Sequence, residues 1–190
     1  MRSVVTILAL FFAQIHLCAR MRAADPKVLD EIARVASVIV DGDVCQRIVT
    51  DRALRFLAHE DPRDKWAAGD NYEVDHQAFL QVKKTLRRLS MLASFRCDVN
   101  LWMPLRAQPG KIHIVVRNVN EMSQFWPWGA LVQDMDPRMK TVLETGRRLT
   151  VTDKPGWISV LAPVSDSEGD IVALVEAVGN TRPDPNENVK

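Results

Sequence analysis

The spacing of apolar residues changes near residue 95 of this chain, and the change constrains the fold class. Before it, apolar side chains recur at helical spacing over residues 28–39, 44–57 and 79–93. After it, apolar and polar residues alternate over 97–103 and 112–116, the pattern of half-buried strands. Helices segregated from antiparallel strands form α+β domains, so the sequence predicts N-terminal helices packed on an antiparallel sheet of about five strands.

Turn and cap residues divide the second half of the chain into its remaining elements. Gln108-Pro109-Gly110 predicts a turn that joins the first two strands as a hairpin. Residues 118–133 are predicted to form a long connection. Asp136-Pro137 and Gly146 mark the start and the end of a short helix. Three further strands are predicted over 148–152, 157–164 and 171–178, with a turn at 165–170 between the last two.

The first 24 residues predict an export signal. Arg2 precedes an apolar run over residues 4–17, which is shorter than a membrane span, and small residues follow at Ala23 and Ala24. This pattern is typical of a secretory signal peptide and predicts a periplasmic or secreted protein. Positive charge at Arg20 and Arg22 resists translocation, so an uncleaved membrane anchor formed by residues 3–19 is the alternative. The domain itself is predicted to span 25–179, and the polar segment 180–190 is predicted to be a disordered tail.

Charge argues against a nucleic-acid partner. The formal net charge of the 190 residues is +1, and no Lys/Arg-rich face carries interleaved aromatic residues. One helix of the predicted set is locally basic, because Lys83, Lys84, Arg87 and Arg88 lie mostly away from its apolar stripe. These four residues form either a groove for an acidic partner or a solvated helix face.

The sequence lacks the motifs of the common enzyme classes, and the chain is predicted not to be an enzyme. There is no nucleophile elbow, no phosphate-binding loop, no zinc-protease motif and no C-x-x-C pair. Accordingly no catalytic residue, metal site or cofactor is predicted. His59, His76 and His113 could each serve as a base or a metal ligand, but His59 and His76 are expected at the surface, and His113 is expected to face a pocket or solvent. Cys45 and Cys97 are expected either to form a disulfide, which export permits, or to be two separate buried thiols.

The last two strands resemble the final hairpin of the Cache family of extracellular, PAS-like sensor domains. The resemblance rests on residues 156–175, where an aromatic residue, a small residue, Ala162-Pro163-Val164, Asp166, Gly169 and an apolar strand follow one another. The paired strands and the short helix upstream are similar in order to the same domains. Ala173 departs from the family pattern, which has glycine there. The resemblance implies a single-module, PAS-like α+β sensor domain.

This resemblance implies a pocket between the sheet and the connection at 118–133. Arg117 could clamp a carboxylate through its planar guanidinium. The expected function is therefore an exported, stand-alone domain that binds a small organic ligand for sensing or signalling through a membrane receptor or another signalling protein. The alternative is a ligand-free structural or interaction module, with a homodimer through the helix at 28–39. The predicted ligand-binding residues are Trp102, Arg117, Trp126, Trp128, Trp157 and Ser159.

Overall fold

The computed structural model describes residues 23–57, 74–127 and 132–182. Most of the predicted export signal, the predicted loop at 59–72 with His59, Trp128 and most of the predicted tail lie outside these residues. Within the described residues, no helix combines the length and the apolar character that crossing a bilayer requires. The export signal, its cleavage and the tail stay predictions.

The first helix forms where the apolar period predicts it. Helix α1 spans Pro26–Ile39, and the Asp25 carboxylate at its start accepts a hydrogen bond from the backbone N–H of Lys27 at 2.9 Å. Proline in the first turn costs no helical hydrogen bond, because the N–H groups there have no partner within the helix. Leu29, Ile32, Ala33 and Ala36 form the buried side of α1.

The second predicted helical stretch is two helices, α2 over Gly42–Ile48 and α3 over Asp51–Leu57. The break falls at Val49, which is extended and pairs with Val74 in an isolated antiparallel bridge. The Thr50 hydroxyl then accepts from the backbone N–H of Ala53 at 3.2 Å and starts α3. The apolar period continues across the break, so periodicity alone gave no sign of it.

Helix α4 spans His76–Ser90 and is capped by Asp75, as predicted. The Asp75 carboxylate accepts from the backbone N–H of Ala78 at 2.9 Å. Helix α5 spans Pro137–Thr145 and ends at Gly146, whose φ of +67° is the left-handed conformation that glycine adopts without strain. Both boundaries follow the cap residues read from the sequence.

The strands form one antiparallel sheet of six, in the order β3-β2-β1-β6-β5-β4. The α+β class is confirmed, and the predicted number of five strands is corrected to six. The additional strand, β3, has three residues, pairs with the start of β2 and lies at the end of the predicted long connection. Three residues are too few for a period of two to be recognised. The six strands are β1 Cys97–Pro104, β2 Lys111–Val116, β3 Val132–Asp134, β4 Leu149–Val151, β5 Trp157–Ser165 and β6 Ile171–Asn180.

The register places a set of polar side chains on one face of the central strands. Glu176 of β6 lies opposite Asn100 of β1 and opposite Leu161 of β5. Directly paired residues of an antiparallel ladder point to the same face, so Trp102 and Ser159, each two residues along its strand, share the face with Glu176. We call this the Glu176 face.

Strand β1 was predicted to be half buried, but seven of its eight residues are buried, including the polar ones. Asp98 and Asn100 are 0% and 1% exposed. The reason is tertiary, because a later segment of the chain covers the Glu176 face.

Candidate functional site

A fully buried carboxylate organises the Glu176 face. The Glu176 side chain accepts hydrogen bonds from the hydroxyl of Ser159 to Oε1 at 2.7 Å and from the hydroxyl of Ser123 to Oε2 at 2.6 Å. The indole N–H of Trp102 donates to Oε2 at 3.1 Å, and the backbone N–H of Gln124 donates to Oε1 at 3.0 Å. A weaker contact of 3.4 Å comes from the amide of Asn100.

These donors are all neutral, and no ion pair of the described residues involves Glu176. The two oxygens of Glu176 take part in all five contacts. A buried carboxyl group needs such hydrogen bonds because they replace the water that it loses on burial.

A second buried carboxylate binds the chain that follows β2. Asp98 Oδ1 accepts from the side chain of Asn120 at 2.8 Å and from its backbone N–H at 3.3 Å, and Oδ2 accepts from the backbone N–H of Met122 at 2.9 Å. Desolvation raises the pKa of Asp98 above its ordinary value, although the bonds from Met122 and Asn120 oppose the shift. Asn100 adds two contacts, accepting from Asn118 N at 3.1 Å and donating to Met122 O at 2.7 Å.

These bonds define a cross-sheet loop, residues 117–127, which runs over the Glu176 face. It leaves β2, passes β1 at Asn120 and Met122, and reaches β6 at Ser123. Its next residue extends to the far edge of the sheet, because the Gln124 amide donates to the carbonyl of Val151 in β4 at 2.9 Å. The loop is therefore fixed by side-chain bonds where no strand pairing is available.

The Ser123 hydroxyl connects the buried carboxylate with the second half of the loop. It donates to Glu176 and accepts from the backbone N–H groups of Phe125 at 3.0 Å and Trp126 at 3.1 Å. A single hydroxyl can fill both roles, since it has one donor and two acceptor positions. The conformation around Trp126 is thereby tied to the central strand β6.

The two ends of the loop meet at Arg117 and Trp126. The Arg117 guanidinium carbon lies 4.6 Å from the centroid of the Trp126 ring, a cation–π contact. Glu121 approaches the same guanidinium at 3.9 Å, with side-chain exposures of 31% for Arg117 and 54% for Glu121. Among the described residues, Glu121 is the one residue other than glycine with positive φ, at 53°. Such a backbone costs roughly 1–3 kcal/mol and persists where surrounding contacts impose it.

The structure brings the predicted site residues together in two pairs. Trp102 and Ser159 meet through Glu176, and Arg117 stacks on Trp126. Trp157 lies opposite Asn180 at the end of β5, with the Lys154 ammonium 4.6 Å from its ring centroid. Trp128 lies outside the described residues.

Sequence reasoning missed the polar residues that organise this face. A usable signal was present at Glu176, an acidic residue inside an otherwise apolar strand, because a buried carboxylate requires several donors. No comparable signal identified the donors, which come from distant parts of the chain. The residues missed are Asp98, Asn100, Ser123 and Glu176.

Neither the cysteines nor the described histidines donate to the carboxylates of Glu176 and Asp98. Cys45 and Cys97 are buried free thiols and not the disulfide considered as one alternative, and burial is the main cause that raises the pKa of each to about 12. His113 is buried, its Nδ1 has no hydrogen-bond partner, and burial lowers its pKa to about 4. His76 is exposed at the start of α4. The described residues include no group of three His, Cys, Asp or Glu side chains that could hold a metal ion.

No protein-family model matches this chain. No curated protein matches it either. Among solved structures, it is similar to a double mutant of the inducer-binding domain of the PobR transcription factor from Acinetobacter, in complex with 3-hydroxybenzoic acid. The two are 12% identical, with a TM-score of 0.38, and the match covers 58% of this chain and 88% of that chain. A likeness of this size carries no argument about fold or ligand.

Proposed function

We propose that this chain is an exported, non-catalytic sensor domain of the Cache-like type that binds a small organic anion, such as a carboxylate, beside the cross-sheet loop. The observation that carries the proposal is the stacked pair of Arg117 and Trp126, which joins the two ends of that loop. Occupancy would be reported through a membrane receptor or another signalling protein.

The pair has the chemistry of an anion subsite. A guanidinium beside an aromatic ring presents a planar fork of N–H donors, and this fork matches the two oxygens of a carboxylate. Glu121 contacts this group at 3.9 Å, longer than a good charge-assisted hydrogen bond, and does so from a strained backbone. A ligand carboxylate that took the place of the Glu121 side chain would form shorter bonds to the guanidinium.

The proposal includes a route by which binding changes the domain. Trp126 is connected to Glu176 through Ser123, and Glu176 lies on the central strand. The sequence suggested that Trp102 and Ser159 line the ligand. In this proposal they instead donate to the Glu176 carboxylate, which fixes the loop. A ligand shifts the domain only if it prefers one arrangement of this loop.

The test is a thermal-shift screen of small carboxylates, followed by titration with tryptophan fluorescence as the readout. A binder at one hundred times its dissociation constant should stabilise the protein by about 2.7 kcal/mol. Arg117→Lys should weaken binding at least tenfold, since a single ammonium cannot replace the planar two-pronged donor. The matched control is Arg147→Lys, at an exposed position beyond α5, which should bind like the parent. No stabilisation by any carboxylate, or equal loss in both variants, would overturn the proposal.

A second candidate is a ligand-free structural or interaction module. It is favoured by the extent to which the Glu176 face is filled by the chain itself, and by the exposure of Val38 and Ile39 at the end of α1, 74% and 50%. Large exposed apolar side chains mark contact surfaces when they cluster. A stable homodimer that Val38→Ser with Ile39→Ser converts to monomer, together with a failed ligand screen, would establish this candidate.

A further inference from the structure

The outward face of α4 combines positive charge with exposed apolar side chains. Of its fifteen residues, four are Lys or Arg and none is Asp or Glu. Lys84, Arg87 and Arg88 are exposed, on the side opposite the buried Val82, Leu86 and Leu89. No acidic neighbour along the helix neutralises this stripe.

Two large apolar side chains continue the stripe where the helix ends. Met91 is 79% exposed and Leu92 is 63% exposed. Met91 caps the end of α4 and Leu92 follows it, with the Leu92 N–H donating to the carbonyl of Leu89 at 3.0 Å, so both lie at the helix end that carries Arg87 and Arg88. This placement leaves apolar surface in water beside a block of positive charge.

The same end of the domain receives the chain from its N-terminal side. The backbone N–H of Ala24 donates to the carbonyl of Asn180 at 2.9 Å. A Cβ at Gly179 would lie 2.7 Å from Ala24 Cβ and 3.2 Å from Phe95 Cε2, so Ala24 and Phe95 flank one point of β6. Phe95 belongs to the short connection that also carries Met91 and Leu92. The described part of the chain therefore begins beside Phe95, and the apolar sequence 4–17 precedes it.

We propose that this α4 surface, formed by Lys84, Arg87, Arg88, Met91 and Leu92, docks on anionic phospholipid headgroups. The three cations would lie in the headgroup layer, and the two apolar side chains would enter the interface below it. An acidic partner accounts for the cations, whereas the exposed Met91 and Leu92 add an apolar contact that charge alone does not match. A bilayer accounts for both, and the sequence that precedes Ala24 is itself apolar at 4–17.

The experiment measures binding of the full chain to two sets of vesicles, one of phosphatidylcholine alone and one with about 30 mol% phosphatidylglycerol, a fraction chosen to give an anionic surface. We expect binding to the anionic vesicles to be stronger and to weaken as salt is raised. Arg87→Gln with Arg88→Gln should weaken it about fivefold for each arginine. Met91→Ser with Leu92→Ser should weaken binding to the anionic vesicles while leaving its salt dependence in place.

The N-terminal apolar segment is present in every variant, so any binding that it provides cancels in the comparison. The matched control is Lys140→Gln with Arg147→Gln, which removes the same charge from exposed positions on and beyond α5. It should bind like the parent. Equal binding of the parent to both vesicle sets would overturn the proposal, as would a loss in the α5 control equal to that of the Arg87 and Arg88 variant. Because all substituted residues are exposed, circular dichroism should show each variant folded. Neither Arg117 nor Trp126 is involved, so the ligand proposal and this one fail separately.

Discussion

The hydroxyl of Ser123 lies 2.6 Å from Glu176 Oε2, and this contact joins the cross-sheet loop to the central strand β6. The two residues are 53 positions apart in the sequence. Through the same hydroxyl, the backbone of Phe125 and Trp126 is fixed relative to the sheet. The loop is therefore held by a buried polar network, whose members depend on one another more than isolated hydrogen bonds do.

Removal of the central acceptor should be costly. Glu176→Leu leaves the hydroxyls of Ser123 and Ser159 and the indole of Trp102 buried without their acceptor. A buried donor that is left without its acceptor typically costs about 1–3 kcal/mol. Urea denaturation should show a loss of this size. Glu168→Leu, in the exposed turn between β5 and β6, is the control and should change stability by less than about 0.5 kcal/mol. A Glu176→Leu variant as stable as the control would contradict the role given to this carboxylate.

Loss of the connecting hydroxyl should act on the loop more than on the sheet. Ser123→Ala removes one donor to Glu176 and the acceptor of two backbone N–H groups, at a cost of about 1–3 kcal/mol. Hydrogen exchange should accelerate at the amides of Phe125 and Trp126 and stay slow in β6. Ser167→Ala, in an exposed turn, serves as the comparison. Uniform acceleration across the sheet would show that Ser123 supports the whole fold and not the loop specifically.

Acidification should destabilise the domain through His113. The pKa of the folded His113 is lowered from 6.5 to about 4 by burial, so the unfolded chain binds a proton in this interval that the folded protein excludes. The contribution that neutral His113 makes to the free energy of unfolding is therefore fully present above pH 6.5, and it is lost as the pH falls toward 4. The loss amounts to about 3 kcal/mol.

His113→Leu should flatten the fall of melting temperature between these two pH values, whereas His76→Gln, at an exposed position, should leave it unchanged. Asp98 has the opposite effect on stability, because its pKa is raised in the folded state. The stability that it contributes is present at low pH and is lost as the pH rises through the pKa of the folded protein. Asp98 is present in both histidine variants, so its contribution cancels when their pH profiles are compared. A parent-like pH profile in His113→Leu would refute the assignment.

Gly179 should resist substitution because of Ala24. A methyl group at Gly179 would lie 2.7 Å from Ala24 Cβ, closer than two carbons can approach. Gly179→Ala should cost about 1–3 kcal/mol, the usual range for overpacking a core. Adding Ala24→Gly should recover part of that loss, and a double-mutant cycle of melting curves measures the coupling. If the effects of the two substitutions on the free energy of unfolding simply added, Ala24 would not be packed against Gly179 of β6 as the structure has it.

Much of the fold could be predicted from local patterns. Asp25, Asp75 and Asp136 each precede a helix and bond to its first turn, as their sequence context indicated. The hairpins β1–β2 and β5–β6 followed from alternation and turn residues. The break at Val49 and the short strand β3 could not be predicted, because each depends on a partner elsewhere in the chain.

The candidate site was predictable only in part. Arg117 and Trp126 were identified as residue types suited to a ligand, and the structure stacks them. Trp102 and Ser159 were expected to line a pocket, and the structure bonds both to Glu176. The difference arises because residue type indicates what a side chain can bind, whereas the neighbouring strand decides what it meets.

By itself, the sequence determined the α+β class, the order of helices and strands and most of their boundaries. These depend on apolar period, caps and turns, which act over a few residues. Only the tertiary structure decided that Glu176 is the centre of a buried network, since its donors lie 17 to 76 positions away along the chain. A buried carboxylate is stable only where several donors converge on it, and that convergence is created by strand pairing and by the loop laid across the sheet.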